Sequence, residues 1–180
     1  MTLKLITEGD FRSSRYGQMA DQIEGRLSDL IEQAESFVEF EVDRKLYRET
    51  YTEMAEIGQR SLFLAEAPLI SVTSIEVRRH GSQDGWQLVD AADYDIYASE
   101  GVVELTQVGS LNGSQVRVTY EAGYDPIPAI VKAAVILQTA YFAYQDFEIY
   151  GSGDGKPPGI SYIQKEVKQL LAPFKRSKFA

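Results

Sequence analysis

The sequence predicts an α+β protein in which long helices pack with a small antiparallel β-sheet. Residues 21–43 carry apolar side chains at helical spacing, and residues 61–121 alternate apolar and polar side chains as strands do. Residues 127–144 form a third, almost wholly apolar stretch with one charge, Lys132. The composition, 44% hydrophobic and 25% charged, is typical of a globular protein with a packed core.

The first predicted helix spans residues 21–43. Its apolar residues fall on one stripe, whereas its glutamates lie away from that stripe and are interpreted as a solvated face: Glu24, Glu32, Glu35 and Glu39. Residues 44–60 fit either a continuation of this helix or a mobile arm, and their pattern does not decide between the two.

The strands follow from Ser61 onward. A short strand ends at Pro68, and a second is expected over 73–79. A hairpin-like connection over 80–89 leads to two short strands around a turn at Gly101. An Asn-Gly turn at 112–113 introduces a closing strand, Gln115–Glu121, in which Val116, Val118 and Tyr120 share one face.

Helices are predicted again after the sheet. Pro126 and Pro128 start the long apolar helix, because proline is tolerated in a first helical turn. Residues 151–159 break the pattern, and helical spacing resumes from Ile160 until Pro173. We therefore expect a single domain over residues 1–172, followed by an extended basic tail over 173–180.

The long apolar helix ends in a group of aromatic residues. Tyr141, Phe142 and Tyr144 point in different directions around a helix, so one core is not expected to bury them all. We predict that one face of this helix fills the core and another meets a neighbouring subunit near these residues. The apolar segment falls short of the ~20 residues that span a bilayer, so no membrane partner is expected.

Charge is distributed unevenly along the chain, whose net charge is -9. Residues 1–160 hold 26 acids and 13 bases, whereas residues 161–180 hold one acid and five bases. The acidic excess argues against a protein whose whole surface grips nucleic acid. The basic end is either a solvated terminus or an arm that docks on an acidic partner.

Few residues are suited to catalysis. The chain has no cysteine, and His80, the one histidine, sits beside a predicted glycine turn. Asp90, Asp93 and Asp95 lie close in sequence, but the glycine and glutamate of a calcium loop are missing. We therefore predict no catalytic, cofactor or metal site. The competing hypothesis is a carboxylate-dependent hydrolase or nuclease that uses these aspartates with Glu104.

The order of several segments resembles a known family. "LSDLIEQAESFVE" is followed by "LFLAEAPLISVTSIEV", then by "DYDIYASEGVVEL" and by "VRVTYEAGYDPIPAIVKAAVILQTAYFAY". This order and spacing, over roughly residues 21–150, resembles the head–tail connector (adaptor) proteins of tailed bacteriophages.

The resemblance implies a structural virion protein rather than an enzyme, made in the host cytoplasm and placed in the neck at the portal vertex. Such proteins form a ring, typically of twelve subunits, that binds the portal, extends the DNA channel and presents a surface to the next neck or tail protein. Double-stranded DNA would pass through the lumen without specific binding, during genome packaging and ejection. The nearest alternatives are another neck or tail-completion protein and a small acidic virion protein of different position.

Two sets of site residues follow from this expectation. Acidic residues that repel phosphate would line the channel, with these candidates: Glu24, Glu32, Glu35, Glu39, Asp84, Asp90 and Asp93. The basic tail would become ordered on the portal or on an adjacent subunit through Phe174, Lys175, Arg176, Lys178 and Phe179.

Overall fold

The structure is a computed structural model that describes residues 4–23, 25–79, 85–106, 114–150 and 160–176, without the side chains of 147–150, 160 and 161. Its contacts divide the chain into two compact units. The helical unit comprises Met1–Leu46 and Pro126–Ala180, and the β unit comprises Tyr47–Asp125. The α+β class is confirmed, while the single domain over residues 1–172 stays a prediction.

Among the described residues, the helical unit has four α-helices: α1 Glu8–Arg12, α2 Leu27–Val42, α3 Ala129–Tyr150 and α4 Ile160–Leu171. Helix α2 begins six residues later than the apolar stripe predicted. Gly25 adopts a left-handed φ of 83°, which is unfavourable for most side chains and interrupts a helix at this point. The helix ends at Val42, and its C-cap, Asp43, is also left-handed, with a φ of 56°.

Helix α3 also begins later than predicted. Pro126 and Pro128 both precede it, and the carbonyl of Pro128 accepts the first hydrogen bond, from the N–H of Lys132. A proline disfavours helical backbone in the residue before it, so Ile127 cannot readily belong to the helix. The two prolines therefore set the helix start from outside the first turn.

Helix α3 is apolar because it packs against both α2 and α4. Its buried residues are distributed around much of its circumference, and they include Val131, Ala134, Val135, Leu137, Ala140 and Ala143. The folded chain itself thus covers two sides of the helix. A neighbouring subunit is not needed to explain the composition of α3, and a subunit contact through α3 stays a prediction.

The described part of the β unit has seven strands: β1 Glu49–Glu56, β2 Ser61–Phe63, β3 Leu69–Arg79, β4 Gln87–Leu88, β5 Tyr94–Tyr97, β6 Val102–Leu105 and β7 Ser114–Ala122. They form two antiparallel sheets, with strand orders β1-β7-β3-β4 and β2-β6-β5. The expectation of one sheet is corrected to two. Residues 49–56, left open between helix and arm, form an edge strand paired along its whole length with β7.

One core lies within the β unit. Val116, Val118 and Tyr120 of β7 are buried on one face, as predicted from their alternation, and they pack with residues of both sheets. Tyr120 is fully buried, and its hydroxyl donates to the carboxylate of Glu53 and accepts from the N–H of Glu66. This pairing explains how a phenol is tolerated in the core.

Candidate interaction surfaces

The aromatic residues of α3 make contacts inside the helical unit. Tyr141 is buried, and its hydroxyl accepts a hydrogen bond from Nε2 of Gln145 at 2.9 Å. The ring of Phe142 meets Phe37 of α2 edge-on, with centroids 6.3 Å apart. Phe142 and Tyr144 keep part of their surface exposed. Their predicted role in a subunit contact stays a prediction, and it rests on this remaining surface.

The acidic residues proposed for the channel have different environments. Glu35 is half-buried, and one carboxylate oxygen accepts the backbone N–H groups of Leu5 at 2.6 Å and Ile6 at 3.1 Å. Burial raises the pKa of Glu35, although these two hydrogen bonds lower it. Glu39 pairs with Lys45 at 2.7 Å, whereas Glu32 is exposed. Glu24 and Asp84 lie outside the described residues.

Two of the loop acids also take part in local hydrogen bonds, Asp90 through its carboxylate and Asp93 through its backbone carbonyl. Asp90 caps a short 3-10 helix, Ala91–Asp93, by accepting the N–H of Ala92 at 3.0 Å. Asp93 is half-buried, and its carbonyl accepts the N–H of Thr106. No group of three or more His, Asp or Glu side chains in the described part of the chain is arranged to hold a metal ion. The hydrolase hypothesis therefore gains no site from Asp90, Asp93, Asp95 and Glu104.

The start of the basic tail contacts its own chain. Residues Ala172–Phe174 form a 3-10 helix, and the N–H of Arg176 donates to the carbonyl of Val42 at 2.9 Å. Nζ of Lys175 lies 3.2 Å from the carboxylate of Glu41, and Nζ of Lys168 lies 3.5 Å from it. Burial alone would raise the pKa of Glu41, but the two lysines lower it overall. Residues 172–176 are thus folded onto α2 rather than extended; Lys178 and Phe179 lie outside the described residues.

Two exposed aromatic residues in the helical unit were not recognised from the sequence. Phe40 of α2 is 81% exposed and Tyr162 of α4 is 65% exposed. Tyr162, Lys165 and Gln169 follow one another at helical spacing on the exposed side of α4, opposite the buried Ile163, Val167 and Leu171. We name these three exposed residues the α4 face. A shallow groove beside them is lined by Lys165, Lys168, Gln169, Gln164 and Ala172.

The three-stranded sheet of the β unit also carries an exposed apolar row. Val102 of β6 lies opposite Phe63 of β2 and Tyr97 of β5, so the three side chains share the outer face. Phe63 is 73% exposed and Tyr97 is 46% exposed. The next row on the same face places Glu104 opposite Asp95. We name these five residues the sheet patch: Phe63, Asp95, Tyr97, Val102 and Glu104.

The outer face of the four-stranded sheet carries a cation–π cluster around Trp86. The guanidinium groups of Arg78 and Arg117 lie 4.8 and 4.7 Å from the ring centroid of Trp86. Arg117 also forms two hydrogen bonds with the carboxylate of Glu76. Such cation–π contacts stabilise by about 0.5–1 kcal/mol each when exposed. This cluster orders the Trp86 segment against β3 and β7.

The exposed surfaces of the two units are therefore the candidate functional regions among the described residues. The family model for head completion proteins matches residues 4–176. The chain therefore belongs to the head completion protein family, and the predicted kinship with phage head–tail connectors is confirmed at this level. No curated protein matches the sequence.

The fold resembles that of chains in three solved structures. The neck of an empty GTA particle, computed with C6 symmetry, matches at 16% identity and a TM-score of 0.58, covering 100% of this chain and 98% of that one. The neck of a native GTA particle, computed with C12 symmetry, matches at 17% identity and 0.58, with the same coverage. The virion of a native gene transfer agent (GTA) particle matches at 15% and 0.59, covering 100% and 95%. At these identities the likeness establishes the fold.

No helix in the described residues is long and apolar enough to cross a membrane.

Proposed function

We propose that the protein is a structural subunit of a ring in the virion neck, where it joins the portal to the next neck or tail component. The family match carries this proposal, because it spans residues 4–176 and so includes both units. The fold likeness to neck chains over the whole length supports it. Those two necks were computed with C6 and with C12 symmetry, and a ring of twelve subunits is compatible with both.

In the proposed ring, the acidic excess of each copy is repeated around the DNA channel. Negative walls repel phosphate, so DNA slides through the lumen without specific binding. Glu32 is the best candidate for the wall, because it is exposed. Asp90 is also exposed, but one of its carboxylate oxygens already accepts the N–H of Ala92. Glu35 and Glu39 are less suited, because each carboxylate is already engaged within its own chain.

The proposed portal contact uses the end of the basic tail. Lys175 is paired with Glu41, so it reaches a portal only if this ion pair opens. Lys178, Phe179 and the exposed Arg176 are therefore the main candidates, with Phe174 at the base of the contact. Two phenylalanines supply apolar area, and the bases steer the tail towards an acidic surface.

The proposed role requires no catalysis, and removal of the chain tests it. Particles assembled without the protein should contain filled heads that fail to join tails, and purified protein added to those heads should restore joining. Complete heads with incomplete tails would instead support the alternative of a tail-completion protein. Normal tailed particles without this chain would refute a role in the neck.

A further inference from the structure

The sheet patch combines exposed apolar surface with two opposed carboxylates. Phe63, Val102 and Tyr97 form a row across all three strands, and no polar group interrupts that row apart from the Tyr97 hydroxyl. That hydroxyl donates to Glu104 at 3.1 Å. Large exposed apolar residues that lie together, rather than singly, mark an interaction site.

The carboxylates of the patch indicate the charge of its partner. Asp95 and Glu104 lie directly opposite each other on neighbouring strands, an arrangement that is destabilising for like charges. Arg60 pairs with Glu104 at 3.3 Å, which leaves one positive charge beside two negative ones. A further cation, brought by a partner to the side of Asp95, would complete the neutralisation.

The α4 face has the matching chemistry. Tyr162 supplies an exposed aromatic ring, and Lys165 supplies an exposed cation one helical turn further on. Side chains three residues apart on a helix are separated by about 5–6 Å at Cβ. Successive rows on one face of a sheet are separated by roughly 6.6 Å. The spacing of Tyr162 and Lys165 on the helix and the spacing of the two rows on the sheet therefore differ by less than the length of a lysine side chain.

We propose that the α4 face of one copy docks on the sheet patch of a second copy of this chain. Tyr162 packs against the Phe63–Tyr97 row, and Lys165 pairs with Asp95. The contact rests on the proposed ring function, which it deepens by naming the joined surfaces. It is heterologous, because two different surfaces of the same chain meet, and heterologous contacts close into rings when the rotation divides a circle.

A second copy fits these surfaces better than DNA does. Lysines on α4 would attract phosphate, but the same chemistry cannot explain the sheet patch, which repels it. Both surfaces belong to one chain, and its acidic body and basic end are complementary in charge. Each copy therefore brings both halves of the contact.

Cysteine cross-linking tests the proposal, since the natural chain has no cysteine. Lys165→Cys and Asp95→Cys chains are prepared separately, mixed at concentrations at which the wild type forms rings, and treated with a thiol-reactive bismaleimide, because a Lys–Asp pair holds the two Cβ atoms farther apart than the roughly 3.5–4.5 Å that a disulfide requires. We expect a covalent dimer in the mixture that exceeds the dimer from either variant alone by about tenfold. Gln33→Cys, an exposed position on α2, replaces Lys165→Cys in the control mixture and should give no such excess.

Charge exchange gives a second readout without cross-linking. Lys165→Glu or Asp95→Lys alone should weaken ring assembly by about tenfold or more, because each puts like charges at the contact. The double variant should recover most of that loss. If the wild type forms rings but the cysteine variants give no excess of cross-linked dimer and the double charge variant shows no recovery, the proposed surfaces are overturned while the ring function stands. A chain that forms no ring, even on portal-containing heads, would overturn both.

Discussion

Glu35 is predicted to anchor the N-terminal segment rather than to line a channel. Its carboxylate accepts the backbone N–H groups of Leu5 and Ile6, two residues that are almost wholly buried. In Glu35→Ala both N–H groups lose their acceptor in a place where water has little access. A buried donor left without a partner costs about 1–3 kcal/mol. Two such donors give an expected loss of roughly 2–6 kcal/mol in the free energy of unfolding.

Two matched variants separate this role from a general effect of charge. Both N–H groups bond to the same oxygen, so the amide oxygen of Glu35→Gln can still accept them, and its loss should stay below about 1.5 kcal/mol. Glu32→Ala removes an exposed carboxylate from the same helix and should change stability by no more than about 0.5 kcal/mol.

Chemical denaturation of the three variants measures these differences directly. Hydrogen exchange at the amides of Leu5 and Ile6 gives the local readout, and protection should fall most in Glu35→Ala. Equal losses in Glu35→Ala and Glu32→Ala, with protection unchanged, would refute the anchoring role.

The pH dependence of the same residue has a definite sign. Because burial raises its pKa above the ordinary value of 4.5, the folded state binds more protons at this group than the unfolded state does. Its contribution to stability therefore falls as pH rises from about 4.5 through the raised pKa. Glu35→Gln should remove this component from the pH profile.

Three further predictions concern other positions. Gly123→Ala should destabilise the β unit by more than about 1 kcal/mol in thermal unfolding, because the φ of Gly123 is 113° and an added Cβ would collide with the Tyr47 carbonyl. An unchanged stability of this variant would contradict that geometry. Gln138 is fully buried on α3 with no hydrogen-bond partner among the described residues, so Gln138→Met should raise the free energy of unfolding by about 1 kcal/mol. A lower free energy of unfolding in this variant would indicate that Gln138 has a polar partner. Glu41→Gln should lower the free energy of unfolding by less than about 1 kcal/mol but should speed proteolysis after Lys175. An unchanged cleavage rate would show that the Lys175–Glu41 ion pair does not hold the tail against α2.

Local patterns predicted the regular elements well. The alternation over residues 115–121 correctly identified the buried face of β7, and the apolar spacing identified α2, α3 and α4. The boundaries were less accurate, because Gly25 and Pro128 act on backbone conformation and leave the apolar pattern unchanged. Residues 49–56 were not recognised as a strand, since an edge strand such as β1 exposes most of its side chains and loses the alternation.

The contact surfaces were harder to predict than the fold. The sheet patch depends on the register that places Phe63, Val102 and Tyr97 in one row, and local alternation does not specify which strands pair. The surroundings of α3 show the same limit: composition indicates that a helix is buried on most sides but not which chain covers it, so the subunit contact through α3 stays a prediction. Glu35 looked like a solvated residue because its backbone partners, Leu5 and Ile6, are about 30 positions away.

The position of the chain in an intact particle tests the central claim most directly. An electron cryo-microscopy reconstruction of the neck, with this protein identified by its side-chain density or by a tag, locates every copy. We predict a closed ring between the portal and the next component, with the helical unit of each subunit contacting the β unit of its neighbour. A chain found elsewhere in the particle, or in single copies without ring symmetry, would contradict the account.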